Sequence, residues 1–434
     1  MTERVDPHQR TSSPAPVVPG GPIRMGGFGS GWGLRAGMAL CLGLLALYGV
    51  LWGNTVQATG GPEAYVRRTD FRAALTAALI VAEGHGAQLY TLAAQDEAET
   101  RLVRGYDAPG QILYAGPPWW AVLLAPLVRM GLAAQFVFTI WTLISAAAAG
   151  LSLGLLAAGW PTGRAASWLL MLGATSFFPL ITSLMVGQST ALALLGLAAA
   201  TTALKYRRDG LAGVALALVL VQPGVVPLLL LGLLLARRWR ALVGFAVGAA
   251  VLVALLVPVL GWDWPLQYLA FALEPTHWAG GVGPTGELPQ SWRGLFAGLA
   301  GLTVAGPIFM AGLSVALLAW VWTRRAAGDG GLGWDRAWAL TMLLALPGDP
   351  LLGPAGLALA LVPGWVLAAG VAEAQPPRRG WAVLLALGYV LTTPILTLFA
   401  ALPPYAPLAW LVGLVGVLAV AVGRDRPASE EAGA

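Results

Sequence analysis

The run LVGFAVGAAVLVALLVPVLGW at 242–262 contains no charged residue and no strongly polar one. At about 1.5 Å of rise per residue, a helix of that length spans the ~30 Å hydrocarbon core of a bilayer. AGMALCLGLLALYGVLW at 36–52 is a second such run, and nothing in the chain alternates polar and apolar as outer-membrane strands do. Only 10% of the 434 residues are charged and 58% are hydrophobic, against roughly 25% charged in soluble domains. The chain is therefore expected to be all-α, a polytopic membrane helical bundle.

Cys41, the one cysteine, falls inside the first apolar run, so neither an internal disulfide nor a thiolate metal site is expected. His8, His85 and His277 are far apart in sequence, which argues against a histidine metal centre. The basic balance does not point to nucleic acid, because the cations gather at the ends of apolar runs, where cytoplasmic flanks carry them. Residues 1–33, rich in Pro, Gly and Ser, read as a disordered cytoplasmic tail ahead of a retained signal anchor. Residues 34–423 read as the membrane domain, and 424–434 as a second cytoplasmic tail. Most of the 57 glycines read as close helix packing, and most of the 19 tryptophans as interfacial anchors.

Placing the basic clusters at Lys205/Arg207/Arg208, Arg237/Arg238/Arg240, Arg324/Arg325, Arg378/Arg379 and Arg424/Arg426 in the cytoplasm requires an even number of crossings between neighbours. The intervals comply. Paired apolar runs meet at QPG (222–224), around the polar loop 261–301, at PGDP (347–350) and at LPPY (402–405), with Pro or Gly at each tight turn. The runs on either side of QPG are short for full spans. With Arg35 also inside, segments 54–112 and 261–301 form two extracytoplasmic loops, and Asp70, Asp263, Glu274, Glu287 and Asp349 all fall outside. Between 113 and 204 four helical candidates (113–130, 133–158, 165–183, 187–204) stand where an odd number is needed. FFPLITSLMVGQS at 177–189 is the expected irregular piece. About twelve spans result.

The stretch AYVRRTDFRAALTAALIVAEGHGAQLY (64–90) is unusually polar for this chain. Thr69 or Asp70 caps a helix running to about Ala82, and Gly84 and Gly86 end it. Phe71, Ala74, Leu75, Ala78 and Leu79 recur at helical spacing, so the helix is expected to lie on the membrane surface. A carboxylate at the external interface beside Arg67, Arg68 and Arg72 is also suited to accept a proton from a sugar hydroxyl, while the arginines hold a lipid phosphate.

At these residues the chain resembles glycosyltransferase family 87, the polyprenyl-phosphate-mannose-dependent mannosyltransferase-like branch of the GT-C superfamily. The resemblance runs from about residue 66 to 300. It is carried in order by TDFRAAL…GHGAQLY (69–90), YAGPPWWAVLLAPL (114–127), MVGQSTALALLGLAAA (185–200) and PQSWRGLF (289–296). It implies a GT-C bundle whose outer loop carries interfacial helices. It also implies transfer of mannose or another hexose from a polyprenyl-phosphate sugar to a glycolipid or polysaccharide acceptor, with inversion, at the external face of a bacterial inner membrane. Asp70 matches the catalytic aspartate, the general base. Arg293, Arg72 and Arg68 would meet the donor phosphate. Gln188, Gln290, Tyr90, Tyr114, Gln222 and His277 would line the sugar and acceptor sites. A lipid monophosphate leaving group implies no nucleotide pocket, no metal and no other cofactor.

The chain departs from the family where Gln222-Pro223 stands for a Lys-Pro pair, and where LPGDPLLGPAGLALAL (346–361) has neither Tyr nor His, leaving Asp349 as its one ionisable group. Arg293 also reads as a snorkelling interfacial arginine, Gln188 as a helix–helix hydrogen-bonding residue and His277 as a loop residue. Two other classes fit the composition, a lipid or sugar transporter or flippase and a non-catalytic partner in envelope glycan assembly.

Overall fold

A computed structural model describes residues 31–106, 110–161, 164–274, 305–326, 333–349 and 352–372. Arg293, Gln290 and His277 lie outside the described residues, as do most of the two tails and the LPPY turn.

The described residues are helical, without strands. In chain order the helices are α1 (Gly31–Ala58), α2 (Pro62–Val66), α3 (Phe71–Ala82), α4 (Leu92–Val103), α5 (Trp119–Arg129), α6 (Ala134–Gly159), α7 (Arg164–Thr175), α8 (Phe178–Met185), α9 (Thr190–Lys205), α10 (Asp209–Ala217), α11 (Val226–Leu235), α12 (Trp239–Leu260), α13 (Trp264–Leu273), α14 (Ala305–Ala326), α15 (Trp334–Ala345) and α16 (Leu361–Ala372). Short 3-10 turns join several of them, among them Leu218–Val221, Pro223–Val225, Leu346–Gly348 and Pro354–Ala360. Three stretches have the length and hydropathy to cross a membrane, Gly37–Ala58, Ala134–Gly159 and Trp239–Leu260. The other described apolar runs form shorter helices of 10–17 residues.

Where the runs break follows from the residues. Pro117 and Pro118 hold back the run that begins at 113, so α5 starts only at Trp119. Pro179 fixes the first turn of α8, and the chain separates α7 from α8 at Ser176 and Phe177, within the stretch expected to be irregular. Pro223 likewise splits the run between α10 and α11 into two 3-10 turns, leaving two short helices rather than two spans.

The outward face of the long helices is apolar. On α12, Val243, Val247, Val251 and Leu255 recur every fourth residue and are exposed, while Gly244 and Gly248 face inward. Because lipid is as apolar as these side chains, their burial does not drive helix association; close backbone packing and hydrogen bonds do. Glycine permits it here. A Cβ on Gly213 would collide with the Ala241 carbonyl and one on Gly244 with the Gly210 carbonyl, so α10 and α12 touch backbone to backbone.

Two buried clusters result. One joins the later part of α6 with α7 to α11, α14, α15 and α16. The other gathers α2 to α5 onto the start of α6, the end of α12 and α13, and forms a head at one end of the bundle. α6 is a ruler between the ends. Gln135 N–H, in its first turn, donates to Glu63 in the head, and Ala158 C=O, in its last, accepts from Tyr206 at the far end. The whole helix, 26 residues, is about 39 Å long, and these points lie about 35 Å apart along it.

Segment 54–112 builds the head, and α3 is covered on nearly every side rather than on one face as its spacing suggested. Phe71 through Ala78, with Ile80 and Val81, are all buried, between α4 and α5. Alanines on the face opposite the apolar stripe let both neighbours approach. Gln95 pins the following segment from inside. Its amide accepts from Tyr114 N–H (2.8 Å) and donates to the carbonyls of Leu89 (2.9 Å) and Tyr114 (3.2 Å).

Candidate active site

Asp70 stands at the N-cap of α3 in helical backbone geometry, yet its side chain makes no capping hydrogen bond. Instead Oδ2 accepts from Gln188 Nε2 at 2.9 Å. The sequence reading of Asp70 as a side-chain cap is therefore corrected. A cap needs extended backbone to swing its oxygen onto the first turn, and φ −56°, ψ −23° does not allow that. The carboxylate is half-buried, and Oδ1 accepts no hydrogen bond among the described residues.

The partner is held from several sides. Met185, Val186 and Gly187 form the turn between α8 and α9. Tyr65 Oη donates to the Met185 carbonyl (2.9 Å), Trp141 Nε1 donates to the Gly187 carbonyl (3.0 Å), and Gln188 N–H donates to the Ser183 carbonyl (2.9 Å). Gly187 has φ +71°, and a Cβ there would stand 2.7 Å from Phe71 and 2.9 Å from Phe138. Phe71 is the residue after Asp70, so one glycine sets both the turn and its distance from the acid.

Burial pushes the Asp70 carboxyl above the ordinary carboxylate range, and the Gln188 hydrogen bond and the charge of Arg72 partly oppose it. A carboxylate so shifted is a stronger base than a free one.

The arginines divide. Arg72 has no exposed surface. Its Nε lies 2.9 Å from Glu99 Oε1, and its Nη atoms donate to the carbonyls of Gly110 (2.7 Å) and Arg67 (3.3 Å). Burial lowers the Arg72 pKa and raises that of Glu99, with their mutual attraction opposing both. Arg72 is thus a strut between α3, α4 and the chain leading to α5, and the expectation that it meets a lipid phosphate does not fit a guanidinium enclosed in this way. Arg67 is also engaged, through Glu63, the Leu102 carbonyl and the Tyr106 ring. Arg68 is half-buried, two residues from Asp70.

The two tyrosines expected to bind sugar are internal bolts. Tyr90 Oη donates to the Gly116 carbonyl (3.0 Å) and Tyr114 Oη to the Pro117 carbonyl. The Tyr90 ring packs against Tyr268 and Phe271 of α13, beside an open groove of about 530 Å³ that Gln267 and Glu274 also line. The lining of that groove does not include Asp70 or Gln188.

Gln222 belongs to a second polar cluster. Its Oε1 is buried with no hydrogen bond among the described residues, and its Nε2 lies against Gly356. Two residues on, Gly224 abuts the carboxylate of Asp349, which is 5% exposed, and a Cβ on Gly224 would collide with it. The Tyr268 phenol is raised first by burial and then by the charge of Asp349. Asp349 thus meets the Gln222–Gly224 turn from a distant part of the chain, and its charge acts on Tyr268. The 3-10 turn Pro354–Ala360, which carries Gly356, packs in turn on α8, the helix leading to Gln188. Sequence reading found Asp349 only as an isolated acid, because its approach to Gly224 depends on long-range packing.

The sequence profile of glycosyltransferase family 87 matches residues 114–347, more than half of the 434-residue chain. The chain belongs to glycosyltransferase family 87. That family is of the GT-C type of membrane glycosyltransferases, so the substrates of this family 87 chain are a sugar donor and an acceptor. No curated protein and no solved structure matches it. Gln188 and Gln222 fall inside the matched span, Asp70 precedes it, and Asp349 with nearly all of the 346–361 region follows it. The Gln188–Asp70 hydrogen bond joins the acid to the part that defines the family.

Proposed function

We propose that the protein transfers a hexose, mannose or a relative of it, from a polyprenyl-phosphate carrier to a glycolipid or polysaccharide acceptor, with Asp70 as general base. The carrying observation is the half-buried Asp70 carboxylate, with one oxygen fixed by Gln188 and the other without a hydrogen bond among the described residues. In this reading Oδ1 takes the acceptor hydroxyl proton as that oxygen attacks the anomeric carbon. The sugar–phosphate bond breaks on the opposite face, and configuration inverts. The leaving lipid phosphate carries the displaced charge, which a cation can balance without a divalent ion; Arg68 and Arg293 are the proposed contacts. Gln222 and Asp349 supply acceptors and a donor for sugar hydroxyls on the other side of the 3-10 turn Pro354–Ala360. The proposed setting is the external face of a bacterial inner membrane.

The test is transfer of radiolabel from polyprenyl-phosphate hexoses by the full chain in lipid nanodiscs. Asp70→Asn is expected to lower turnover about 10²–10⁴-fold with donor binding kept. Turnover near wild type in that variant removes Asp70 as base, and donor that binds without any transfer would shift the reading to transport.

A further inference from the structure

The end of the bundle away from Asp70 carries two turns built alike. α9 passes to α10 through Tyr206, Arg207 and Arg208, and α11 to α12 through Ala236, Arg237 and Arg238. In each the middle residue is left-handed, Arg207 at φ 58° and Arg237 at φ 55°, the two non-glycine residues with positive φ among the described residues. The following N–H reaches back in both, from Arg208 to the Ala203 carbonyl and from Arg238 to the Leu233 carbonyl, each 2.9 Å. This is a Schellman ending, whose left-handed position favours glycine because a Cβ is crowded there. If the turn alone mattered, arginine would be a poor choice at both.

The two turns are neighbours. Arg238 donates to both carboxylate oxygens of Asp209 at 3.0 and 3.1 Å. Arg207, Arg208, Arg237 and Arg240 are exposed and form no ion pair among the described residues. The nearby acids are engaged, Asp209 by Arg238, and Asp335 by Trp160 Nε1 (2.9 Å) and Lys205 (3.8 Å). Exposed Tyr206 and Trp239 flank the arginines, and exposed Leu211, Leu234, Leu235 and Val243 continue along the helices. A cationic rim, an aromatic pair and an apolar wall in sequence match the layers of a membrane surface.

We infer that the paired arginine turns are a docking platform for anionic phospholipid headgroups, and that Arg207 and Arg237 stand in left-handed positions for their charge rather than for the turn. The inference is independent of the proposed transfer reaction. It is tested on the full chain by native mass spectrometry with phosphatidylglycerol and phosphatidylcholine in competition, and by thermal unfolding in each lipid. Wild type is expected to retain phosphatidylglycerol preferentially. The double variant R207G/R237G is expected to lose about fivefold of that preference for each arginine, with unfolding in phosphatidylcholine unchanged or at higher temperature. R207K/R237K, which keeps the charge, is expected to keep most of the preference. An unaltered preference in the glycine variant overturns the inference, as does a glycine variant less stable in phosphatidylcholine. Inorganic phosphate that displaces the lipid at equal concentration would also overturn it, by reassigning the site to a small anion.

Discussion

At the scale of single residues, the Asp70–Gln188 pair makes two opposed demands on one carboxylate. A buried acid whose folded pKa is raised binds its proton more tightly folded than unfolded. Ionising it therefore costs stability, and that cost grows as pH rises above the unfolded value. Asp70→Asn is accordingly expected to raise, or leave unchanged, the thermal midpoint at neutral pH while transfer is lost; a clear drop would make Asp70 a structural residue. Gln188 stabilises the ionised form, so Gln188→Leu is expected to push the Asp70 pKa further up and carry the acidic limb of kcat/KM to higher pH. A limb that stays in place would separate Gln188 from the base. Arg72 tests the contrary case. Removing it strands Glu99, 5% exposed, as a buried unpaired charge, and Arg72→Met is expected to cost about 3–5 kcal/mol of stability. Arg68→Met is expected to raise KM for the lipid donor, and an unchanged KM in that variant would remove Arg68 from the donor site.

At the scale of elements, the turn between α8 and α9 decides whether Gln188 reaches Asp70. Gly187→Ala puts a side chain in a left-handed position and drives its Cβ against Phe71 and Phe138. The expected cost is about 1–3 kcal/mol, with at least a tenfold fall in kcat as Gln188 is displaced; circular dichroism melts and single-turnover transfer check the two together. Undiminished kcat would mean that the turn tolerates movement the packing does not suggest. This turn was legible in the sequence, since Pro179 and the Gly-Gln pair marked an irregular piece at 177–189. The ends of α3 were legible too, from Asp70 before it and Gly84 and Gly86 after it. Its burial was not. The apolar stripe at Phe71, Ala74, Leu75, Ala78 and Leu79 reads as one face, and only the tertiary contacts reveal that Ala73, Thr76 and Ala77 are covered as well. The same limit hid the pairing of Arg72 with Glu99 and the approach of Asp349 to Gly224, because spacing along a chain says nothing of which distant element arrives opposite.

At the scale of the whole molecule, α6 and α12 run in opposite directions between the same two ends. α12 begins beside Arg238, where the arginine turns lie, and at its other end the Val259 carbonyl abuts Gly86 in the head. Its 22 residues cover about 33 Å, close to the ~30 Å of a hydrocarbon core. Asp70 and the arginine platform therefore sit at opposite ends of the described bundle, and we propose that the platform end faces the cytoplasm, where cationic flanks gather. The orientation is open to direct labelling. Cys41, the single cysteine, is buried, so Cys41→Ser gives a background in which Glu97→Cys on exposed α4 and Arg240→Cys beside the platform report separately. A membrane-impermeant maleimide applied to intact cells is expected to modify position 97 and to reach position 240 only after permeabilisation. The reverse pattern would put Asp70 inside, where a donor presented at the outer leaflet could not meet it. Modification of both positions in intact cells would contradict the separation that α6 and α12 each measure, and with it the placing of acid and arginines on opposite faces.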